Sequence, residues 1–236
     1  MLYLIGIGLN DEKDITVKGL EAVKTCDKVY LESYTSRLSC SKEDMESFYG
    51  KEVILADRAL VEDGSKILKE AKEKNVALLV IGDVFGATTH VEIYIEAKKQ
   101  EIPIQVIHNA SVLNAVGITG LSLYKFGKVT TIPLENKNIK SPYEVYLKNK
   151  ELGLHTLFLL DIKENQLMTT DEAAEYLGRM GIPRETKCVA VGGLGSNDPD
   201  IRYVTLDNAV VNKYPQCLII PGELHFKEEE ALEFFA

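Results

Sequence analysis

The sequence predicts an α/β fold of two domains, with a mostly parallel sheet in the N-terminal domain and a mixed sheet in the C-terminal domain. In the first half of the 236 residues, short apolar runs alternate with amphipathic segments. This alternation is typical of parallel strands joined by right-handed helical crossovers. In the second half, strands outnumber helices and two of them are close in sequence. A small-residue stretch near residue 110 predicts the boundary between domains 1–110 and 111–236.

Five strands are predicted in the first half. The first, Tyr3–Leu9, ends in glycines, and a helix is predicted over Ile15–Cys26 because its apolar residues recur on one face. The elements that follow are strands Lys28–Glu32, Lys51–Leu55, Val76–Ile81 and Ile104–Ile107, and helices Ser65–Lys74 and Thr89–Lys99.

The second half begins with a helix near Val112 that ends around Gly117–Gly120. The polar stretch Asn136–Gly153 is interpreted as a connector. The other predicted elements are strands Val129–Pro133, Thr156–Asp161, Lys187–Val191, Ile201–Leu206 and Cys217–Ile220, and the helix Thr170–Met180.

Composition excludes several classes of protein. Acidic residues number 36 against 27 basic ones, and no segment is strongly basic, so nucleic acid is a poor partner. A small molecule, or a protein with a basic surface, is favoured. No apolar run approaches the ~20 residues of a membrane-spanning helix. Cys26, Cys40, Cys188 and Cys217 are far apart and predict neither disulfides nor a zinc site, so cytoplasm is the expected compartment.

Three segments at predicted strand ends are candidates for ligand binding. They are 6–10 (GIGLN), 82–90 (GDVFGATTH) and 109–112 (NASV). In open parallel sheets, ligands bind outside the carboxyl ends of the strands, where glycine-rich turns expose backbone N–H groups. We therefore expect the three segments to converge on one site.

The glycines of the first segment form only half of a dinucleotide fingerprint. Asp11 stands where the third glycine would be and adds negative charge near a phosphate. Since the chain also lacks a P-loop motif, a ligand without phosphate is favoured. Ordinary tight turns would also explain a lone G-x-G pair.

Several side chains of the second segment could bind a ligand. Asp83 closes a buried strand, where a carboxylate either binds loop N–H groups or holds a ligand. Thr88 and Thr89 are equally consistent with a helix N-cap, and His90 with a buried structural residue. The four histidines have no metal-binding spacing, so no metal is expected.

Longer motifs, spread over nearly the whole chain, then identify a family. The chain resembles the diphthine synthases of the tetrapyrrole methylase superfamily, enzymes that use S-adenosylmethionine. The superfamily likeness lies in 3–10 (YLIGIGLN), 14–20 (DITVKGL) and 82–83 (GD). The more specific likeness lies in 31–36 (LESYTS), 87–90 (ATTH), 115–121 (AVGITGL), 124–128 (YKFGK), 153–157 (GLHTL), 160–163 (LDIK) and 221–225 (PGELH).

The resemblance implies a homodimer of two-domain chains, with S-adenosylmethionine bound in the cleft between the domains and S-adenosylhomocysteine as product. Its implied substrate is translation elongation factor 2, on which the amino group of a 3-amino-3-carboxypropyl-histidine is methylated repeatedly in diphthamide biosynthesis. The implied cofactor contacts are Leu9, Asp83, Gly86, Ser111, Val112, Leu160, Leu194 and His225.

The resemblance leaves the catalytic base unassigned. His90 and His225 are candidates, and Tyr34, Tyr124 and Phe126 could line a site that must accept a growing ammonium group. A compact chain resembles the archaeal forms, but whether a methyl ester also forms stays open.

Two departures and two alternatives accompany the resemblance. Val84 replaces a common proline, which puts the contact at Gly86 in doubt, and the stretch before Cys188 is short. The alternatives are a cobalamin-pathway methyltransferase acting on a tetrapyrrole and a non-catalytic nucleotide-binding module.

Overall fold

The computed structural model describes residues 1–86, 90–163 and 166–236. The chain divides into two compact units, Met1–Leu113 (unit 1) and Asn114–Ala236 (unit 2). Each unit contains its own five-stranded sheet. Ala87, Thr88 and Thr89 of the second candidate segment lie outside the described residues.

The sheet of unit 1 is entirely parallel among its described strands, as the sequence predicts. Its order is β3-β2-β4-β1-β5. The most apolar strand, with sequence VALLV, is buried along its whole length in the middle of the sheet. The strands are β1 (Leu2–Gly6), β2 (Lys28–Glu32), β3 (Ile54–Ala56), β4 (Val76–Val80) and β5 (Ile104–Ile107).

Helices of unit 1 cover both faces of this sheet, and two apolar clusters form its core. The Thr16 hydroxyl caps the first helix by accepting a hydrogen bond from the Gly19 N–H at 3.0 Å. The helices are α1 (Val17–Thr25), α2 (Lys42–Tyr49), α3 (Arg58–Asp63), α4 (Ser65–Ala71) and α5 (Val91–Lys99). The short helix α6 (Val112–Ala115) spans the point where the units divide.

Unit 2 has a mixed sheet, which confirms the second part of the predicted fold class. Its order is β11-β10-β12-β7-β6, with β6 and β7 parallel and the other neighbours antiparallel. The strands are β6 (Thr130–Ile132), β7 (Thr156–Leu160), β10 (Lys187–Gly192), β11 (Asp200–Thr205) and β12 (Gln216–Ile220); β8 (Ile162–Lys163) and β9 (Gln166–Leu167) form a separate pair. The helices are α7 (Ser141–Glu151), α8 (Thr170–Arg179) and α9 (Phe226–Glu233).

The polar connector interpreted over Asn136–Gly153 contains a helix that the sequence analysis missed, α7. Pro142 stands in the first turn, where its lack of an N–H costs nothing. The buried side of the helix consists of Pro142, Tyr146 and Asn149, so its apolar stripe is too thin to show as a periodic pattern. Within the described ranges, α7 is the longest helix at 11 residues, and none is long and apolar enough to cross a membrane.

Candidate functional site

The connections of unit 1 change direction between the adjacent strands β1 and β4. The chain leaves β1 toward β2 on one side of the pair, and leaves β4 toward β5 on the other. Such a switch point opens a crevice at the carboxyl ends of the two strands, where ligands of open α/β sheets bind.

Two glycines join the strand ends at this switch point. Gly8 and Gly82 both have positive φ values, 80° and 82°. The Gly82 N–H donates to the Gly8 carbonyl at 2.7 Å, and the Gly8 N–H donates to the Gly82 carbonyl at 3.2 Å. A Cβ on Gly6 would stand 2.6 Å from the Gly82 carbonyl oxygen, so this approach requires glycine there.

Asp14 and Asn109 hold the first candidate segment in place. Asp14 Oδ2 accepts hydrogen bonds from the N–H groups of Leu9, at 3.1 Å, and Asn10, at 2.7 Å. Asn109 Nδ2 donates to the carbonyls of Gly6, at 3.0 Å, and Asp14, at 2.9 Å. Both residues lie in motifs noted in the sequence, Asp14 in 14–20 and Asn109 in 109–112. Their hydrogen bonds to this loop could not be predicted from those motifs.

Asp83 connects the second candidate segment to the third. Its Oδ2 accepts from the Asn109 N–H at 3.0 Å and from His108 Nδ1 at 2.9 Å, and its Oδ1 accepts from the Phe85 N–H at 3.1 Å. Burial alone would raise the pKa of Asp83, but the hydrogen bonds from Phe85, Asn109 and His108 hold it below its usual value. A carboxylate has about four acceptor sites, so Oδ1 retains capacity for a ligand donor.

Gly86 and Ser111 complete the contact between the segments. A Cβ on Gly86 would stand 2.8 Å from the Ser111 Cβ, so a larger residue would displace Ser111. Ser111 is 7% exposed, and Val112 begins α6 directly after it. Val84, which replaces the proline common in the resembled family, is fully buried in the core and anchors the loop.

The three strand-end segments therefore meet at one place in unit 1. The position of a Cβ on Gly82 lies 3.8 Å from each of a Leu9 methyl carbon, the Ala110 carbonyl oxygen and the Ser111 Cα. A Cβ there would make ordinary van der Waals contacts, but the φ of 82° favours glycine. The structure thus brings together five of the predicted contacts, namely Leu9, Asp83, Gly86, Ser111 and Val112.

A further loop of unit 1 is fastened beside these segments. The fully buried Glu32 carboxylate, at the end of β2, accepts hydrogen bonds from the Thr35 hydroxyl and, at 3.3 Å, from the Thr35 N–H. The Ser39 N–H donates to the Asn10 carbonyl at 2.7 Å. Burial raises the pKa of Glu32 despite these bonds. The loop 33–39 is thereby bound to the end of β2 at its start and to the first candidate segment at its end.

The three predicted contacts in unit 2 occupy two ends of its sheet. Leu160 ends β7, and Leu194 follows β10, which runs in the same direction as β7; both are 8% exposed. His225 follows β12, which is antiparallel, so its segment comes near Thr156 at the other end of β7. The four residue steps from Thr156 to Leu160, at about 3.3 Å each, put the two ends of β7 roughly 13 Å apart. The structure does not bring His225 close to Leu160 along the sheet.

The two candidate bases differ in accessibility. His90 is 2% exposed, and burial lowers its pKa, so it is neutral and remote from solvent. His225 is exposed and serves as the N-cap of α9, with Nδ1 accepting from the Lys227 N–H at 3.4 Å.

The candidate aromatic residues also differ in their surroundings. Tyr34 packs edge-on to His90, with ring centroids 6.5 Å apart, and the Arg58 guanidinium lies 5.1 Å from its ring. Phe126 packs against the buried His155, whereas Tyr124 is 88% exposed. In the part of the chain that the structure describes, no three His, Cys, Asp or Glu side chains are grouped to hold a metal.

The family model described as Tetrapyrrole (Corrin/Porphyrin) Methylases matches residues 1–210. The chain belongs to this family. This tetrapyrrole methylase family member is accordingly an S-adenosylmethionine-dependent methyltransferase, which confirms the class of enzyme that the sequence motifs indicate.

Curated relatives of this tetrapyrrole methylase family member match over most or all of the chain. A probable diphthine methyl ester synthase from Arabidopsis thaliana is 43% identical over 100% of this chain and 98% of its own length. The human diphthine methyl ester synthase is 41% identical over 100% of this chain and 95% of its own. The Saccharomyces cerevisiae one is 56% identical over 87% of this chain and 78% of its own.

Solved structures of family members agree with the fold. A diphthine synthase crystal structure superposes with a TM-score of 0.93 at 37% identity and covers 100% of this chain and 95% of that one. A putative diphthine synthase from Entamoeba histolytica gives a TM-score of 0.90 at 40% identity, covering 100% of this chain and 98% of that one.

Proposed function

We propose that the chain is a diphthine synthase that methylates the 3-amino-3-carboxypropyl-histidine of translation elongation factor 2, with S-adenosylmethionine as donor. The observation that carries the proposal is that diphthine methyl ester synthases match over the entire chain at 41–43% identity. The proposed reaction takes place in the cytoplasm, and the proposed assembly is a homodimer.

The strand-end segments of unit 1 suit this donor. Leu9, Gly82 and Ser111 lie close together at the carboxyl ends of β1 and β4, and no phosphate-binding loop is required. The remaining acceptor site on Asp83 would bind a ribose hydroxyl or amino group of the donor. Gly86, Val112, and in unit 2 Leu160, Leu194 and His225, are the other proposed contacts.

When bound, S-adenosylmethionine would supply a methyl group on a positively charged sulfur, and the sulfur would keep the electron pair of the C–S bond. The chain must hold the acceptor nitrogen in line with this carbon, about 3–3.5 Å away. The acceptor amine must lose its proton to water or to an exposed group first. His225 is accessible for this role, whereas the burial of His90 argues against it.

The names of the relatives extend the proposal to a second acceptor. Each of the curated relatives described above is called a methyl ester synthase. We therefore propose that the adduct carboxylate is methylated in addition to its amino nitrogen.

The test uses labelled S-adenosylmethionine with elongation factor 2 that carries the unmethylated histidine adduct. We expect label on the adduct peptide, with part of it released as methanol by mild alkali, because esters hydrolyse and N-methyl groups do not. Elongation factor 2 without the adduct is the control. Label on a corrin or porphyrin precursor, and none on the factor, would replace this proposal by the tetrapyrrole alternative.

A non-catalytic nucleotide-binding module predicts a different outcome. It would gain thermal stability from ATP or NAD, whereas the proposed enzyme gains it from S-adenosylhomocysteine alone.

A further inference from the structure

A single buried carboxylate in unit 2 receives hydrogen bonds from three separate segments. Glu228, in the first turn of α9, is 2% exposed. Its Oε1 accepts from the Ser122 N–H at 2.9 Å and from His155 Nε2 at 3.1 Å. Its Oε2 accepts from Lys125 Nζ at 2.6 Å and from the His225 N–H at 2.8 Å.

The His155 ring is held in one tautomer within this network. The Gly222 N–H donates to His155 Nδ1 at 2.9 Å, so Nδ1 is the acceptor and the proton is on Nε2. His155 is fully buried, and burial lowers its pKa, which keeps the ring neutral. The ring thereby connects the backbone of residue 222 to Glu228.

Lys125 binds the backbone near residue 222 at a second point. Besides its ion pair with Glu228, its ammonium group donates to the Glu223 carbonyl at 2.5 Å. Burial would raise the pKa of Glu228, but Lys125 and the N–H groups of His225 and Ser122 hold it well below its usual value. Glu228 is therefore charged and bound on both oxygens.

The segment 221–225 has no regular secondary structure of its own, yet three of its backbone groups are bound by this network. We propose that Glu228 is a positioning residue for the methyltransferase, which fixes the backbone of 221–225 so that His225 is presented to the donor. This inference rests on the proposed function, since His225 is a proposed donor contact. Without the carboxylate, the segment would lose conformational order that donor binding must then restore.

The test compares Glu228→Gln with Glu233→Gln, a matched change at an exposed residue of the same helix. A glutamine keeps one acceptor oxygen but removes the charge and two of the four bonds. We expect the Kd for S-adenosylhomocysteine and the KM for the donor to rise about tenfold in Glu228→Gln. We expect kcat at saturating donor to stay within about twofold of the wild-type value, because a bound donor restores the order of 221–225 and with it the position of His225. Hydrogen exchange of the peptide over 221–226 should become faster. Glu233→Gln should leave all of these quantities unchanged.

The outcomes separate the inference from the proposed function. If the wild-type protein fails to bind S-adenosylhomocysteine, the proposed function is overturned. If the wild-type protein binds and Glu228→Gln has the same Kd, or loses kcat with an unchanged KM, only the inference is overturned.

Should Glu228→Gln not accumulate as a folded protein, Lys125→Met decides the question, because it leaves the N–H bonds from Ser122 and His225 in place. We expect a rise in Kd of about threefold, and an unchanged Kd would contradict the inference.

Discussion

At the scale of single residues, Asp83 is the group on which the proposed donor site most depends. In the wild type, Asp83 Oδ1 accepts from Phe85, and Oδ2 accepts from Asn109 and His108. Asp83→Asn replaces one of these oxygens by an NH2 group, which donates instead of accepting. We expect the affinity for S-adenosylhomocysteine to fall about tenfold, with a loss of about 1–2 kcal/mol in the free energy of unfolding. Isothermal titration calorimetry and urea unfolding measure the two effects.

The matched control is Asp171→Asn, at an exposed position in the first turn of α8. It should leave ligand affinity unchanged. Equal affinities for wild type and Asp83→Asn would remove Asp83 from the proposed site.

Gly86 makes a second residue-scale prediction, since the space beside it is taken by Ser111. In Gly86→Ala, the new methyl group would stand 2.8 Å from the Ser111 Cβ, and the strain should cost about 1–3 kcal/mol of stability. Adding Ser111→Gly removes the obstructing carbon and should restore part of that loss. A double-mutant cycle by urea unfolding measures the coupling. Additive effects of the two changes would contradict the close contact.

The sequence predicted some site residues better than others. Asp83 could be found because it follows a wholly apolar strand after only Ile81 and Gly82. Asp14 and Asn109 could not be assigned, because their role depends on backbone groups 4 to 103 positions away. Glu228 stands in a run of three glutamates, and only the fold shows which of them is buried.

At the scale of secondary-structure elements, Asn149 joins α7 to the sheet of unit 2. Its Oδ1 accepts from the Lys128 N–H at 3.0 Å, and its Nδ2 donates to the Lys128 carbonyl at 2.9 Å and to the Thr156 hydroxyl at 3.1 Å. Asn149→Asp replaces the donor by a buried acceptor. We expect the free energy of unfolding to fall by about 2–4 kcal/mol.

Asn138→Asp, in an exposed turn, is the control for this change and should be neutral within about 0.5 kcal/mol. Urea unfolding followed by circular dichroism compares the two variants. A stability for Asn149→Asp equal to that of the control would show that α7 is held by its apolar contacts alone.

Elements were predicted well where burial makes a strong pattern. The strands β2 and β5 have the predicted bounds, because each is a short apolar run between polar residues. The helices α2, α3, α7 and α9 were missed. The helices α2, α3 and α9 are short and begin at side-chain caps such as the Ser41 hydroxyl, and α7 has a thin buried side, so none shows a clear hydrophobic periodicity.

At the scale of the whole molecule, buried titratable groups predict how stability depends on pH. Burial lowers the pKa of His90 and His155 below 6.5, so below that pH the unfolded chain takes up protons that the folded chain does not. Glu32 acts in the opposite direction, because its raised pKa favours the folded state below 4.5 and this contribution is lost as the pH rises. With two histidines against one carboxyl, we expect the free energy of unfolding to decrease from about pH 7.5 to about pH 5.

Urea unfolding across this range tests the sign of the dependence. Glu32→Gln should make the decrease steeper, because it removes the opposing contribution. Stability that increases toward pH 5 would contradict the buried, neutral state of the two histidines.

The Glu228 network also has a consequence for recombining this chain with its relatives. One negative charge depends on partners that are distant in sequence, at Ser122 and Lys125, at His155, and at His225. A chimera could take α9, with Glu228, from one parent and the partner segments from a parent that lacks these donors. The Glu228 carboxylate would then be buried without hydrogen-bond donors. Functional chimeras should therefore take all three segments from the same parent. A substitution in one segment should be accompanied by compensating substitutions in the others.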